Sequence, residues 1–287
     1  MSSPSVAVSV VVAILSEKIQ FPIKVVTRDI KSKTSTSKLE YIEGEISEAN
    51  VDKLSEQLKG VDVIVSLTPA SPPANLVKEK ILQQVKPQIY VPTQYGLNGR
   101  EVDQILPGMF KFNIDHVDNV RAIGGIKVVE FLNEFFIGDG FLTEIVGHAG
   151  IDTEKKTVTY ANKPETKVPV TYLPDIANAI VGLITLEPSE IPQLLKIQSA
   201  EVSFEDIAKL YEKNHNVSLK VETVPLEEVV KQANDRIQSG KALDHRDFSF
   251  IIWVASSTGR DKGGSYSEND NELINPGEKS LKWTKFH

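Results

Sequence analysis

Val6-Ala7-Val8, then Val10 to Lys18, then Ile23-Lys24-Val25-Val26-Thr27-Arg28-Asp29 read as a buried strand, a helix and a second buried strand. That order opens a nucleotide-binding βαβ unit, in which a glycine-rich turn joins the first strand to the helix. Here Val8 runs through Ser9 straight into Val10, and no glycine precedes Gly44. The chain has the frame of a dinucleotide fold without the loop that holds a pyrophosphate. Such a loop aims backbone N–H groups at the phosphates from a helix N-terminus, and side chains there block the approach. Three readings account for the gap: a loop absent from the sequence as printed, a true deletion, or a chain that never bound a dinucleotide.

The alternation continues downstream. Leu39 to Glu45 reads as a third strand, and Val51, Leu54 and Leu58 mark one face of a helix. Val61 to Leu67 is a fourth strand, apolar as a doubly covered parallel strand should be. Pro69, Pro72 and Pro73 read as breaks, followed by a helix from Leu76 to Val85 and a fifth strand from Gln88 to Pro92. This spacing predicts an α/β fold, a Rossmann-like doubly wound parallel sheet with a smaller C-terminal α/β lobe.

Thr93 to Met109 reads as irregular, Phe112 to Ile123 as a helix stopped by Gly124-Gly125, and Ile126 to Phe131 as a sixth strand. Phe135 to Leu142 reads as an aromatic loop or short helix. Later strands are expected at 157–160, 168–172, 193–198 and 217–224, with helices at 173–186, 203–213 and 226–238. Ser203-Phe204-Glu205-Asp206 has the form of a capping box. Arg260 to Pro276 reads as a loose surface loop. The expected division is residues 1–145 as the NAD(P)-binding domain and 146–287 mainly as a substrate or partner lobe with a return into the first.

Composition narrows the classes. With 40% hydrophobic and 25% charged residues the chain is a globular protein rather than a disordered one. A net charge of −7 opposes a nucleic-acid surface as its main function. The absence of cysteine removes disulfides, thiolate catalysis and cysteine metal sites, and fits a reducing, cytoplasmic location. Val6 to Leu15 is apolar, but it lacks a basic flank and is too short to span a bilayer, so no membrane partner is expected. His148, His215, His245 and His287 show no metal-ligand spacing.

Four stretches carry a family resemblance: Val25-Val26-Thr27-Arg28-Asp29; Glu43-Gly44-Glu45-Ile46; Val91-Pro92-Thr93-Gln94-Tyr95-Gly96; and Val170 to Ala177, followed by Asn275-Pro276 and Lys282-Trp283-Thr284. Their order resembles the NmrA-like and isoflavone-reductase-like branch of the atypical short-chain dehydrogenases. The resemblance implies an NADP-binding Rossmann domain with a lobe closing over a small-molecule substrate. Members either reduce small, often aromatic compounds or sense the NADP state and bind a regulatory protein.

Candidate site residues follow. Arg28, where the second strand ends, offers a guanidinium fork to a ribose 2′-phosphate, with Lys31 and Lys33 adding positive charge. Ser66, Leu67 and Thr68 close the fourth strand and Thr93, Gln94 and Tyr95 the fifth, at the carboxyl rim where open α/β sheets bind ligands. The resemblance places Gln94 and Tyr95 beside the nicotinamide. It also implies a catalytic lysine on the following helix, in a column that falls here between Ile114 and His116. Lys111 lies one turn early, and His116 is able to shuttle a proton near neutral pH. Its bland alternative is a partly exposed histidine paired with Asp115 or Asp118. Phe135, Phe136 and Phe141 offer aromatic walls for a flat apolar ligand. Asp175 is expected to cap the helix that it enters.

Overall fold

The structure, a computed structural model, describes residues 20–138, 147–259, 262–263, 265–279 and 281–286. The strand and helix read at residues 6–18, and with them the question of the glycine turn, lie outside the described residues, as does Phe141. In chain order the first elements are β1 (Ile23–Thr27), β2 (Leu39–Glu43), α1 (Val51–Gln57), β3 (Val63–Val65), α2 (Pro72–Val85) and β4 (Ile89–Val91). Next come α3 (Gly99–Ile105), α4 (Lys111–Ile123), β5 (Lys127–Val128), β6 (Glu130–Leu132) and β7 (Phe135–Ile137). After residue 146 follow β8 (Ile151–Asp152), β9 (Thr157–Tyr160), β10 (Lys167–Tyr172), α5 (Leu173–Ile184), β11 (Leu194–Lys196) and β12 (Ala200–Ser203). The remainder is α6 (Phe204–His215), β13 (Lys220–Thr223), α7 (Leu226–Gln238), α8 (His245–Ser257) and α9 (Asn271–Ile274).

The chain divides into two units and crosses between them repeatedly. One holds the described residues up to Gln94 together with Phe112–Phe131 and Ile176–Leu195. In it β1 pairs parallel with β2, and β3, β4 and β5 form a second parallel set in that order. This is a Rossmann-like α/β arrangement. Ile42, Val51, Leu54, Val77 and Ile81 form one apolar cluster, and Leu82, Tyr90, Val117, Val120, Ile126 and Val128 another. Both join helix faces to strand residues at the spacings read from the sequence.

The prolines before α2 do not break it. The helix starts at Pro72, and the Ser71 hydroxyl accepts the Ala74 N–H at 3.4 Å. Proline is tolerated in a first turn because the N–H that it lacks has no intrahelical partner there. The expected sixth strand is split, with β5 pairing to β4 and β6 to β11. Gly124 and Gly125, at φ 74° and 76°, end α4 as read.

The other unit holds the described residues of Tyr95–Lys111, of Leu132–Asp175 and from Lys196 onward. Its sheets are β12-β10-β7 and β13-β9-β8. Three expectations change here. Phe135-Phe136-Ile137 is a strand, paired in parallel with Val170-Thr171-Tyr172, because a short apolar run takes the edge that a neighbour offers. The stretch 93–109 contains α3, whose start is fixed by the Asn98 side chain accepting the Arg100 and Glu101 N–H groups. His245 is exposed and opens α8, a helix for which the sequence reading made no assignment, where an Asp244/Asp247 capping box precedes Ile251 to Ala255, all buried. Nor is the 260–276 region loose where it is described. Ser265 and Tyr266 are buried, the Tyr266 hydroxyl donates to the Ile197 carbonyl, and Asn271 bonds the backbone of Gln198 in both directions. Among the described residues no helix is long and apolar enough to cross a membrane.

Candidate functional site

In the first unit the carboxyl ends of β3 and β4 carry a row of hydroxyls. Ser66 Oγ and Thr93 Oγ1 lie 2.7 Å apart, Thr93 Oγ1 also donates to the Ser66 carbonyl at 3.1 Å, and Thr68 Oγ1 is 3.5 Å from Ser66 Oγ. The Ser66 N–H donates to the Val91 carbonyl, so the ladder holds the two strand exits side by side. Gln94 follows in a tight turn, its N–H donating to the Pro92 carbonyl at 2.8 Å. Leu67 lies half-buried between Ser66 and Thr68. The sequence placed these residues on one rim, and the structure brings the three hydroxyls together.

Arg28 follows β1 directly, is exposed, and makes no ion pair with a described residue. Asp29 folds back locally and accepts the Lys31 N–H at 2.8 Å, which leaves Arg28, Lys31 and Lys33 as an exposed cationic turn beyond a parallel strand. This geometry suits a phosphate ester. The described residues therefore fit the 2′-phosphate end of a dinucleotide and its strand rim.

His116 stands elsewhere than expected. It is 4% exposed, and both ring nitrogens are engaged: Nδ1 with Glu79 Oε1 at 2.8 Å and Nε2 with the Tyr90 hydroxyl at 2.9 Å. Its partner is thus Glu79 on α2, not Asp115 or Asp118. Asn119 donates to the second Glu79 oxygen at 3.1 Å. Burial lowers the His116 pKa against the opposing pull of the Glu79 bond and carboxylate, and burial raises that of Tyr90. Lys78, beside Glu79, is 7% exposed, and burial lowers its amine to about 8. Lys111 opens α4 and is exposed.

No protein-family model matches the sequence, and neither does any curated protein. Solved structures match its fold. An isoflavone reductase does so with a TM-score of 0.69 at 13% identity, over 98% of this chain and 93% of that one. The fold is isoflavone-reductase-like. A nucleoside-diphosphate-sugar epimerase from Staphylococcus aureus gives 0.66 at 13% identity, over 99% and 95% of the two chains. The triphenylmethane reductase of Citrobacter sp., solved with NADP(H), gives 0.62 at 14% identity over 95% and 93%. At these identities the likeness is one of fold.

The second unit begins at Tyr95, which is half-buried. Phe135 is 3% exposed, belongs to the unit's core and stacks on His148 at 6.2 Å, while Phe136 is half-buried. Between β6 and β7 lie two buried polar residues that sequence reasoning passed over, Asn133 and Glu134. Their signal was present: a polar pair interrupting the apolar run from Phe131 to Ile137. Glu79 and Tyr90 carried no such mark, because their meeting with His116 depends on packing alone. Among the described residues no cluster of three or more side chains is placed to hold a metal ion.

Proposed function

We propose that this protein binds NADP and acts as a reductase on a small carbonyl or aromatic compound. The observation that carries the reading is the pairing of an exposed cationic turn at Arg28 with a hydroxyl-lined strand rim at Ser66, Thr68 and Thr93, in a fold shared with a reductase solved with NADP(H). Arg28 and Lys33 would hold the 2′-phosphate; Ser66, Leu67, Thr68, Thr93 and Gln94 would border the nucleotide at the rim, with Tyr95 next in the chain. The bound dinucleotide, when reduced, supplies a hydride to an acceptor carbon.

One observation favours a second reading, in which the protein senses NADP and binds a regulatory partner without catalysis. His116, in the column where the resemblance implies the catalytic lysine, is buried with both nitrogens engaged, so it does not present a proton to a ligand directly. Lys111 remains the exposed candidate at the start of α4.

Titration with NADPH, followed by nucleotide fluorescence, tests both readings. Micromolar binding is expected, and no binding overturns them together. NADPH consumption with a panel of aromatic aldehydes and enones supports the reductase; binding with a blank panel supports the sensor.

A further inference from the structure

β13 lies at the outer edge of the sheet β13-β9-β8, and each of its residues, Lys220-Val221-Glu222-Thr223, is exposed. Val221 is 61% exposed, more than any other large apolar side chain among the described residues.

The inner side of the strand is satisfied. The Lys220 N–H donates to the Lys156 carbonyl at 2.8 Å and the Val224 N–H to the Tyr160 carbonyl at 3.0 Å, in a parallel ladder with β9. Alternate residues of a ladder face the neighbouring strand, so Lys220, Glu222 and Val224 turn their peptide groups toward β9. Val221 and Thr223 turn theirs outward. Among the described residues no group bonds the N–H or C=O of either.

Such an edge is a template for strand addition, which an edge lysine ordinarily blocks. Here the block is cancelled. Glu222 stands two residues from Lys220 on the same face of the strand, its carboxylate 3.0 Å from the ammonium. The strand therefore reads cation, valine, anion. Read in reverse it is anion, valine, cation, so its complement is its own copy laid antiparallel.

We propose that β13 is the surface through which two copies of this chain associate, antiparallel, about a two-fold axis at Val221. This goes beyond the proposed function and does not depend on it. Val221 lies opposite Val221 of the second copy and exchanges both main-chain hydrogen bonds with it. Each Thr223 N–H meets the Leu219 carbonyl of the other copy. The Leu219 N–H stays with Glu212 Oε1, which holds it at 2.7 Å. On each side of the axis Lys220 faces Glu222 of the other copy, in a pairing that brings Cα atoms to about 4.5 Å. The next register, about Glu222, sets the two Glu222 side chains against each other, so charge selects the Val221 axis. The product is an isologous dimer with one continuous sheet, β8-β9-β13-β13-β9-β8. The strand is short and the dimer correspondingly weak, with half-association expected at about 100 μM.

Sedimentation equilibrium of the full chain from about 10 μM to about 1 mM tests the pairing. Lys220→Glu sets carboxylates against carboxylates on both sides of the axis and should weaken self-association about tenfold to a hundredfold. Glu222→Lys should do the same with ammonium groups. An equal mixture of the two variants restores opposite charges across the axis and should associate within about threefold of wild type. Amide exchange on the wild type needs no substitution: the Val221 and Thr223 N–H groups should exchange more slowly as concentration rises. A wild type that stays monomeric throughout the range overturns the proposal. So does a dimer that both variants leave intact, a mixture no tighter than either variant alone, or Val221 and Thr223 amides whose exchange ignores concentration.

Discussion

Asp175 and Thr284, 109 residues apart, are joined twice: the Thr284 N–H donates to one carboxylate oxygen at 2.8 Å and its hydroxyl to the other at 3.2 Å. The Ser199 hydroxyl donates to the first oxygen at 2.6 Å and in turn accepts the Tyr172 N–H at 3.0 Å. Asp175 is 3% exposed. The sequence cast it as a helix cap; the structure uses it to fasten the C-terminal segment and the chain before β12 to the start of α5.

Replacing it should therefore cost more than a lost cap. Asp175→Ala leaves two half-buried hydroxyls, those of Ser199 and Thr284, and the Thr284 N–H without their acceptor, and about 3 kcal/mol of stability should go with them. Asp175→Asn keeps the shape and part of the accepting capacity and should lose less. Urea midpoints at constant slope measure both, and equal midpoints for wild type and Asp175→Ala would show the fastening to be idle.

Arg28→Ala should discriminate between cofactors. If its guanidinium meets a 2′-phosphate, the loss of a charge-assisted bond weakens NADPH by about tenfold to a hundredfold and leaves NADH nearly unchanged. Parallel fluorescence titrations read the ratio. An equal loss for both nucleotides would move the phosphate site away from β1.

Acid should weaken the fold through His148. Burial, and to a lesser extent His245, lower its pKa from 6.5 to about 4, so the folded chain refuses a proton that the unfolded chain accepts. Stability is then complete above about pH 6.5 and falls as pH drops toward 4, by up to about 3 kcal/mol from this group. Its Nε2 has no partner and its ring stacks on Phe135. His148→Phe should accordingly be tolerated at pH 7 and flatten the acid limb, as chemical denaturation from pH 7 to 4 would record. His116, lowered in the same direction, contributes a loss of the same sign in its own window below 6.5.

Gly150 admits no side chain. It turns at φ +76°, and a Cβ there would overlap the Thr159 carbonyl oxygen and approach Trp253 Nε1 to 2.7 Å. Gly150→Ala should cost about 2–4 kcal/mol, since backbone strain and overpacking add. A thermal midpoint unchanged by the substitution would contradict the packing around Trp253.

Much of the framework was written locally. β1, β2, α1, α4 and α7 follow from periodicity, and the Ser203/Asp206 capping box opens α6 as its spacing requires. The Ser66 and Thr93 rim was also readable, because strand exits in a parallel sheet fall on one edge. The misses share a cause. Phe135-Phe136-Ile137 is apolar on every residue, so no period separates strand from loop until β10 lies beside it. The apolar run of α8 likewise reads as nothing in particular until its residues enter the core.

Hydrophobic spacing and turn residues act between neighbours in the chain, and from them alone came the parallel α/β class, most helices and the candidate rim. Which ionisable groups meet was fixed only by packing: His116 with Glu79 across 37 residues, Asp175 with Thr284 across 109, and Glu134 with no partner of its own. Charge and proton affinity depend on burial and on what the fold brings within about 4 Å, and neither is a property of the local string.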